Sequence, residues 1–232
     1  MNIPRLIAHR GAPKYSPENT LVSLRKAYEL GARWVECDVL LTADKQPVII
    51  HDETVDRTTN GKGHVNTYTL DELLKFNAGD GETIPTLKAW MQECIALGMS
   101  LNLEVKEKHD IALIAKSIQQ HFQAYWTDSA LPYLISSRCL AFLKIYHQLD
   151  QKAPLALVVD DLPNNWQQQL NNINANILAI DYRYLNQAII TQLHQHGVSV
   201  LAYTVNDSAT ASALFNIGVN SIFSDVPDIL ER

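Results

Sequence analysis

The sequence predicts an α/β protein, a (β/α)₈ TIM-type barrel with a small insertion after the second strand and its hairpin. Short apolar, β-rich runs alternate with longer helical patterns along the chain, the signature of βα units wound into a parallel sheet. Eight such strands fit into 232 residues, the lower end of the barrel size range. Clusters of His, Arg, Asp, Glu and Lys recur at the carboxyl ends of those strands, where a barrel would gather them at one mouth. An open doubly wound sheet is the alternative arrangement of the same units. A single domain covering residues 1–232 is expected.

Taken in order, Leu6 to His9 reads as the first strand, and Thr20 to Leu30 as the first helix, with Asn19 and Thr20 as its cap and Gly31 at its end. Trp34 to Leu41 is the second strand. Only six residues separate Leu41 from Val48, too few for a parallel crossover, so Val48 to His51 must fold back as a hairpin. With Ala43 to Gln46 as the turn, Leu41 pairs near Val48 and His51 lies opposite Asp38. Residues 52–83 show neither helical nor strand periodicity, apart from a short helix within Thr69 to Phe76 that Thr69 and Glu72 would box. A long segment leaving the barrel mouth should cover it. Pro85-Thr86 opens a helix from Leu87 to Leu97, closed by Gly98. Strands then follow at Leu101 to Lys106, Tyr133 to Ser136, Leu155 to Val159, Ile177 to Ile180, Ser199 to Val205 and Ser221 to Ser224. Helices fit between them at Ile111 to Phe122, Leu140 to Leu149, Trp166 to Asn172, Ala188 to His196 and Ala209 to Ile217.

Composition narrows the partners. A net charge of −6, with no run of Lys and Arg, argues against a nucleic-acid backbone. The three cysteines are odd in number and lack metal-like spacing, so they read as reduced, buried thiols. No stretch approaches the roughly 20 apolar residues that span a bilayer, and the start of the chain leaves no room for a signal peptide. A soluble cytoplasmic protein without stable membrane insertion is expected; oligomeric state is not legible.

Period-two alternation places Glu36 and Asp38 on one strand face and Cys37 on the other, and it aligns Asn102, Glu104 and Lys106. Such charges would be ruinous in mid-core but are satisfied at a mouth that holds a cation. Two imidazoles, three acids and two cations form the inventory of a metal-assisted phosphodiester hydrolase. His64, His109, His121, His147, His194 and His196 have no acidic partners at metal spacing and read as surface residues.

Several motifs occur in sequence order: His9-Arg10-Gly11, Pro17-Glu18-Asn19-Thr20, Glu36-Cys37-Asp38-Val39, His51-Asp52, Arg57-Thr58-Thr59-Asn60-Gly61 with Gly63, Glu104-Val105-Lys106, Tyr203-Thr204-Val205-Asn206, and Ser224-Asp225 with Pro227. Together they resemble the glycerophosphodiester phosphodiesterase family, most closely its short cytosolic bacterial members. The resemblance implies hydrolysis of glycerophosphodiesters to sn-glycerol 3-phosphate and an alcohol. It assigns His9 and His51 as acid and base, Glu36, Asp38 and Glu104 as metal ligands, and Arg10 and Lys106 as phosphate holders. Tyr203 stands where the family more often carries Trp against the substrate. The all-carboxylate ligand set suits Mg²⁺ or Ca²⁺, with Mn²⁺ as a further option. Arg138, which departs from the family pattern, and Asp181 and Arg183 are further substrate-contact candidates. The alternatives are a lysophospholipase D acting on lipid-bearing phosphodiesters and an inactive barrel that only binds a phosphodiester.

Overall fold

In the computed structural model, which describes residues 3–231, eight parallel strands close into a ring with helices outside. The elements in chain order are β1 (Leu6–Ala8), α1 (Leu21–Glu29), β2 (Trp34–Leu41), β3 (Pro47–Ile49), α2 (Leu70–Leu73), α3 (Leu87–Leu97), β4 (Ser100–Val105), α4 (Ile111–His121), β5 (Tyr133–Ser137), α5 (Leu140–Leu149), β6 (Leu155–Val159), α6 (Trp166–Asn171), β7 (Ile177–Asp181), α7 (Gln187–Gln195), β8 (Ser199–Tyr203), α8 (Ser208–Asn216) and β9 (Ser221–Ser224). The closure is explicit in the pairing, because β1 lies parallel to β9 through Leu6–Ile222 and to β2 through Ala8–Val35. This is the expected TIM-type barrel, and it excludes the open sheet.

Two apolar layers follow from strand alternation. One face of each strand packs under the helices, where Val35, Cys37 and Val39 of β2 meet Leu24 of α1 and Trp90 of α3. The other face fills the barrel axis with Ile7, Trp34, Leu134, Ala156, Ile177, Leu201 and Phe223. Burying a side chain of the larger kind stabilises by roughly 1.5–3 kcal/mol, so the lower barrel is a packed plug rather than a channel. Towards the carboxyl ends the inward positions turn polar: Glu36 and Asp38 on β2, Asn102 and Glu104 on β4, Ser136 on β5. Asn102 Nδ2 donates to Ser136 Oγ at 3.0 Å, tying β4 to β5 just below the mouth.

The hairpin differs from expectation by one residue. Antiparallel β3 pairs Leu41 with Pro47, Leu40 with Val48 and Val39 with Ile49, so Asp38 faces Ile50 rather than His51. The cause is a three-residue turn, Ala43-Asp44-Lys45, closed by Thr42 N–H to Gln46 O at 3.0 Å. Lys45 adopts φ +63° there, the left-handed position that ends a three-residue hairpin loop. His51 reaches the mouth because the chain has left the strand by then, not because of pairing register.

Beyond the hairpin the insertion has its own apolar centre, with Val55, Val65, Leu73, Ala78 and Ile84 packed on Leu40, Val48 and Ile50. Thr69 and Glu72 form the expected capping box at the start of α2.

Candidate active site

His9 follows β1 directly, and its N–H still donates to Ser224 O of β9 at 2.9 Å. Its Nδ1 meets Asp225 Oδ1 at 2.7 Å. Asn206 steadies that carboxylate: Nδ2 donates to Asp225 Oδ2 at 2.7 Å, and the Asp225 N–H donates to Asn206 Oδ1 at 2.8 Å. Burial pushes the Asp225 carboxyl up, but the bond from His9 and the nearby positive charge outweigh it and hold the group below its usual range. An ionised carboxylate only accepts, so Nδ1 carries the proton and Nε2 turns toward Glu36, 4.0 Å from Oε2.

The next two residues turn the chain sharply, with Arg10 at φ +52° and Gly11 at φ +88°. That turn points the Arg10 N–H at Glu36 Oε2, 2.9 Å away, and brings Nε to 3.2 Å from Asp38 Oδ2. The Arg10 guanidinium also holds Glu18 Oε1 at 2.8 Å.

Glu36, Asp38 and Glu104 converge: one carboxylate oxygen from each lies within 4.8 Å of the others. Parallel pairing sets Asp38 beside Glu104, and alternation brings Glu36 to the same face. Lys106 Nζ bridges two of the three, at 2.6 Å from Glu104 Oε1 and 3.2 Å from Asp38 Oδ1. Burial pushes the Glu36 carboxyl well up, and repulsion from Asp38 and Glu104 adds to it. Asp38 goes the other way, to about 2, because Lys106 and Arg10 overcome the cost of its burial. Glu36 Oε1 is buried with no hydrogen-bond donor. A fully oxygen donor set with such an orphaned atom fits a hard divalent cation, which would supply the missing positive charge.

His51 stands across the cavity with Nδ1 on Asp52 Oδ1 at 2.6 Å. Arg57 clamps Asp52 from the other side and, as the largest cause, holds its carboxyl at about 2. His9, Arg10, Glu36, His51, Glu104, Lys106 and Tyr203 all line one cavity of about 410 Å³ at the carboxyl ends of the strands.

Some expectations need revision. Thr20 caps α1 alone, accepting from Ser23 N–H, whereas Asn19 adopts φ +57° and its Nδ2 donates to Asp38 Oδ2 at 2.9 Å. Arg138 does line the cavity, bonded to the Tyr203 hydroxyl at 2.8 Å and to Asp160 at 2.9 Å. Asp181 and Arg183 pair with each other and are not part of the cavity wall. In the sequence Asp225 stands out only as part of a motif, and Asn19 as part of a motif and a helix cap. An imidazole that must present one nitrogen needs a partner for the other, which is the signal that would have pointed to Asp225.

The family model for glycerophosphoryl diester phosphodiesterases matches residues 9–229, from the first histidine to beyond the last strand. The chain belongs to the glycerophosphoryl diester phosphodiesterase family. It is accordingly similar to phosphoric diester hydrolases and is itself an enzyme of that kind. A glycerophosphodiester phosphodiesterase of Caldanaerobacter subterraneus is 32% identical over 236 residues, covering 97% of this chain and 95% of that protein. Another, from Bacillus subtilis, is 29% identical over 252 residues, covering 97% and 85%. A phosphodiesterase of Oleispira antarctica, solved in complex with the product sn-glycerol-3-phosphate, superposes with a TM-score of 0.96 at 34% identity, covering 99% and 96%.

Proposed function

We propose that this family member hydrolyses glycerophosphodiesters to sn-glycerol 3-phosphate and an alcohol, using one divalent cation and two histidines. The observation that carries the reading is the meeting of two carboxylate-anchored imidazoles, His9 and His51, in one cavity with Glu36 and Glu104, whose carboxylates converge with that of the buried Asp38 behind them. Glu36, Asp38 and Glu104 would hold Mg²⁺ or Ca²⁺, with Mn²⁺ as a further candidate, and the ion would neutralise charge developing on the phosphoryl oxygens.

The remaining chemistry belongs to this chain's own groups. Phosphodiester hydrolysis removes a proton from the nucleophile and delivers one to the departing alkoxide. With Nδ1 committed to Asp225 or Asp52, each histidine presents Nε2 to the cavity, and the two can divide those tasks. Arg10 offers a planar fork that grips the phosphoryl oxygens of substrate and transition state alike, and Lys106 a point charge that stabilises the added negative charge of the transition state. The ring of Tyr203 forms a wall. Its hydroxyl donates to Val159 O at 2.6 Å and accepts from Arg138, so the ring rather than the hydroxyl is left to face the substrate.

A small-molecule substrate agrees with the net charge of −6, which does not favour nucleic acid. The buried thiols of Cys37 and Cys94 support a reducing, cytoplasmic setting, and no described helix is long and apolar enough to cross a membrane.

The test is release of sn-glycerol 3-phosphate from glycerophosphocholine by the purified protein with Mg²⁺, Ca²⁺ or Mn²⁺, and with a chelator. Release that the chelator abolishes is expected. Release indifferent to the chelator would remove the cation, and no release with any ion would remove the substrate class.

A further inference from the structure

Arg57 lies on the insertion, outside the cavity wall, yet its guanidinium touches the partners of two residues inside it. Its Nε donates to Asp52 Oδ2 at 2.6 Å and Nη2 donates to Asp52 Oδ1 at 3.1 Å. Its Nη1 and Nη2 donate to Glu18 Oε2 at 2.7 Å and Oε1 at 2.8 Å. Each carboxylate also reaches the site through an oxygen that Arg57 Nη2 shares: Asp52 Oδ1 meets His51 Nδ1 at 2.6 Å and Glu18 Oε1 accepts from Arg10 Nη1 at 2.8 Å. One unbroken chain therefore runs His51–Asp52–Arg57–Glu18–Arg10. We infer that Arg57 is a positioning residue that sets the His51 imidazole through Asp52 and the Arg10 guanidinium through Glu18. The inference rests on the roles proposed above for His51 and Arg10.

The plain alternative is a surface ion pair, since the Arg57 side chain is 48% exposed and exposed pairs contribute little to stability. The geometry differs from such a pair in two ways. All four contacts are made by one rigid fork, two to each carboxylate, which fixes orientation as well as distance. Both carboxylates are themselves better covered, Glu18 at 17% and Asp52 at 27% exposure. Asp52 is also the immediate neighbour of His51 in sequence, so its carboxylate swings on only two side-chain torsions. The Arg57 fork is what holds that swing in the plane the imidazole needs. Because Arg57 belongs to the insertion and Glu18 to the β1–α1 loop, the contact also ties the insertion to the loop that carries Arg10.

The experiment is steady-state kinetics on glycerophosphocholine with saturating divalent cation, for Arg57→Ala, Arg57→Lys, Asp52→Asn, Glu18→Gln and the doubles Asp52→Asn/Arg57→Ala and Glu18→Gln/Arg57→Ala. Loss of a residue that orients a working group typically costs about 10–100-fold. Arg57→Ala should therefore lower kcat about tenfold or more and also raise KM. Asp52→Asn should reproduce the fall in kcat, and Glu18→Gln the rise in KM. Adding Arg57→Ala to Asp52→Asn should then change kcat no further, and adding it to Glu18→Gln should leave KM where it was. A merely structural arginine would instead add its loss in both doubles, or leave kcat and KM of Arg57→Ala as in the wild type; either result overturns the inference. Arg57→Lys keeps charge and stem but cannot span both carboxylates. It should fall in the same direction as Arg57→Ala, and it carries the test if the alanine variant unfolds. His51→Ala separates the two levels: full turnover there would strike the catalytic reading itself, whereas an inactive His51→Ala beside an unimpaired Arg57→Ala would strike only the role of Arg57.

Discussion

Gly11 stands at φ +88° in the turn that aims Arg10, and a β-carbon there would overlap both the side chain and the backbone of Ser23. The left-handed conformation alone costs a non-glycine residue about 1–3 kcal/mol. Gly11→Ala should destabilise by at least that much in chemical denaturation and raise KM, because the Arg10 N–H to Glu36 bond depends on the turn. Asp52 gives a pH prediction. Its folded-state value is about 2, below the roughly 3.9 of an unfolded chain, so its contribution is present above pH 4 and is lost as pH falls toward 2. A thermal midpoint followed through that window should drop, and Asp52→Asn should drop less steeply across it. Most of the candidate site was readable one residue at a time, because His9, His51 and Lys106 directly follow strand patterns and Glu36, Asp38 and Glu104 alternate on strand faces, each with distinctive chemistry. Asn19 was not, since an Asn followed by Thr before a helix looks like a cap whichever residue does the capping. Its bond to Asp38 depends on a left-handed backbone that the residue type permits but does not announce.

At the level of elements, strand limits were legible wherever apolar runs end in turn residues: Trp34–Leu41, Leu155–Val159 and Ser221–Ser224 stand as expected. The hairpin register was not, because Ala43-Asp44-Lys45-Gln46 admits a three- or a four-residue turn, and the left-handed geometry of Lys45 decides between them. The insertion offered no periodicity because its core is assembled from scattered single residues. Leu73, fully buried there, shows how that core serves the site. Leu73→Ala should cost about 2–5 kcal/mol and should sharpen protease cutting within residues 52–83. Activity should fall with it, since Asp52 and Arg57 ride on the same segment; limited proteolysis beside the kinetic assay reads both effects.

Across the whole molecule, a plug of apolar side chains supports a polar rim, where Lys106 and Arg10 offset Asp38 while Glu36 stays pushed up by burial and by its acidic neighbours. A cation bound only by the folded chain should stabilise by about 2.7 kcal/mol at a hundredfold excess over its dissociation constant. For a chain of this size that is a rise in thermal midpoint of about 5–10 °C, reversed by chelator. Glu104→Gln should shrink that rise, and an undiminished rise would take Glu104 off the ligand set. The barrel itself was legible from the alternation of strands and helices, whereas contacts across its seam were not, because they join residues far apart in sequence. Asp225 orients His9 from 216 positions further along the chain. During synthesis His9 thus leaves the ribosome 216 residues ahead of Asp225, and its imidazole has no fixed tautomer until β9 docks beside β1. Chemistry waits for that closure, and a barrel cut short before Asp225 should be inert even where its other strands have assembled.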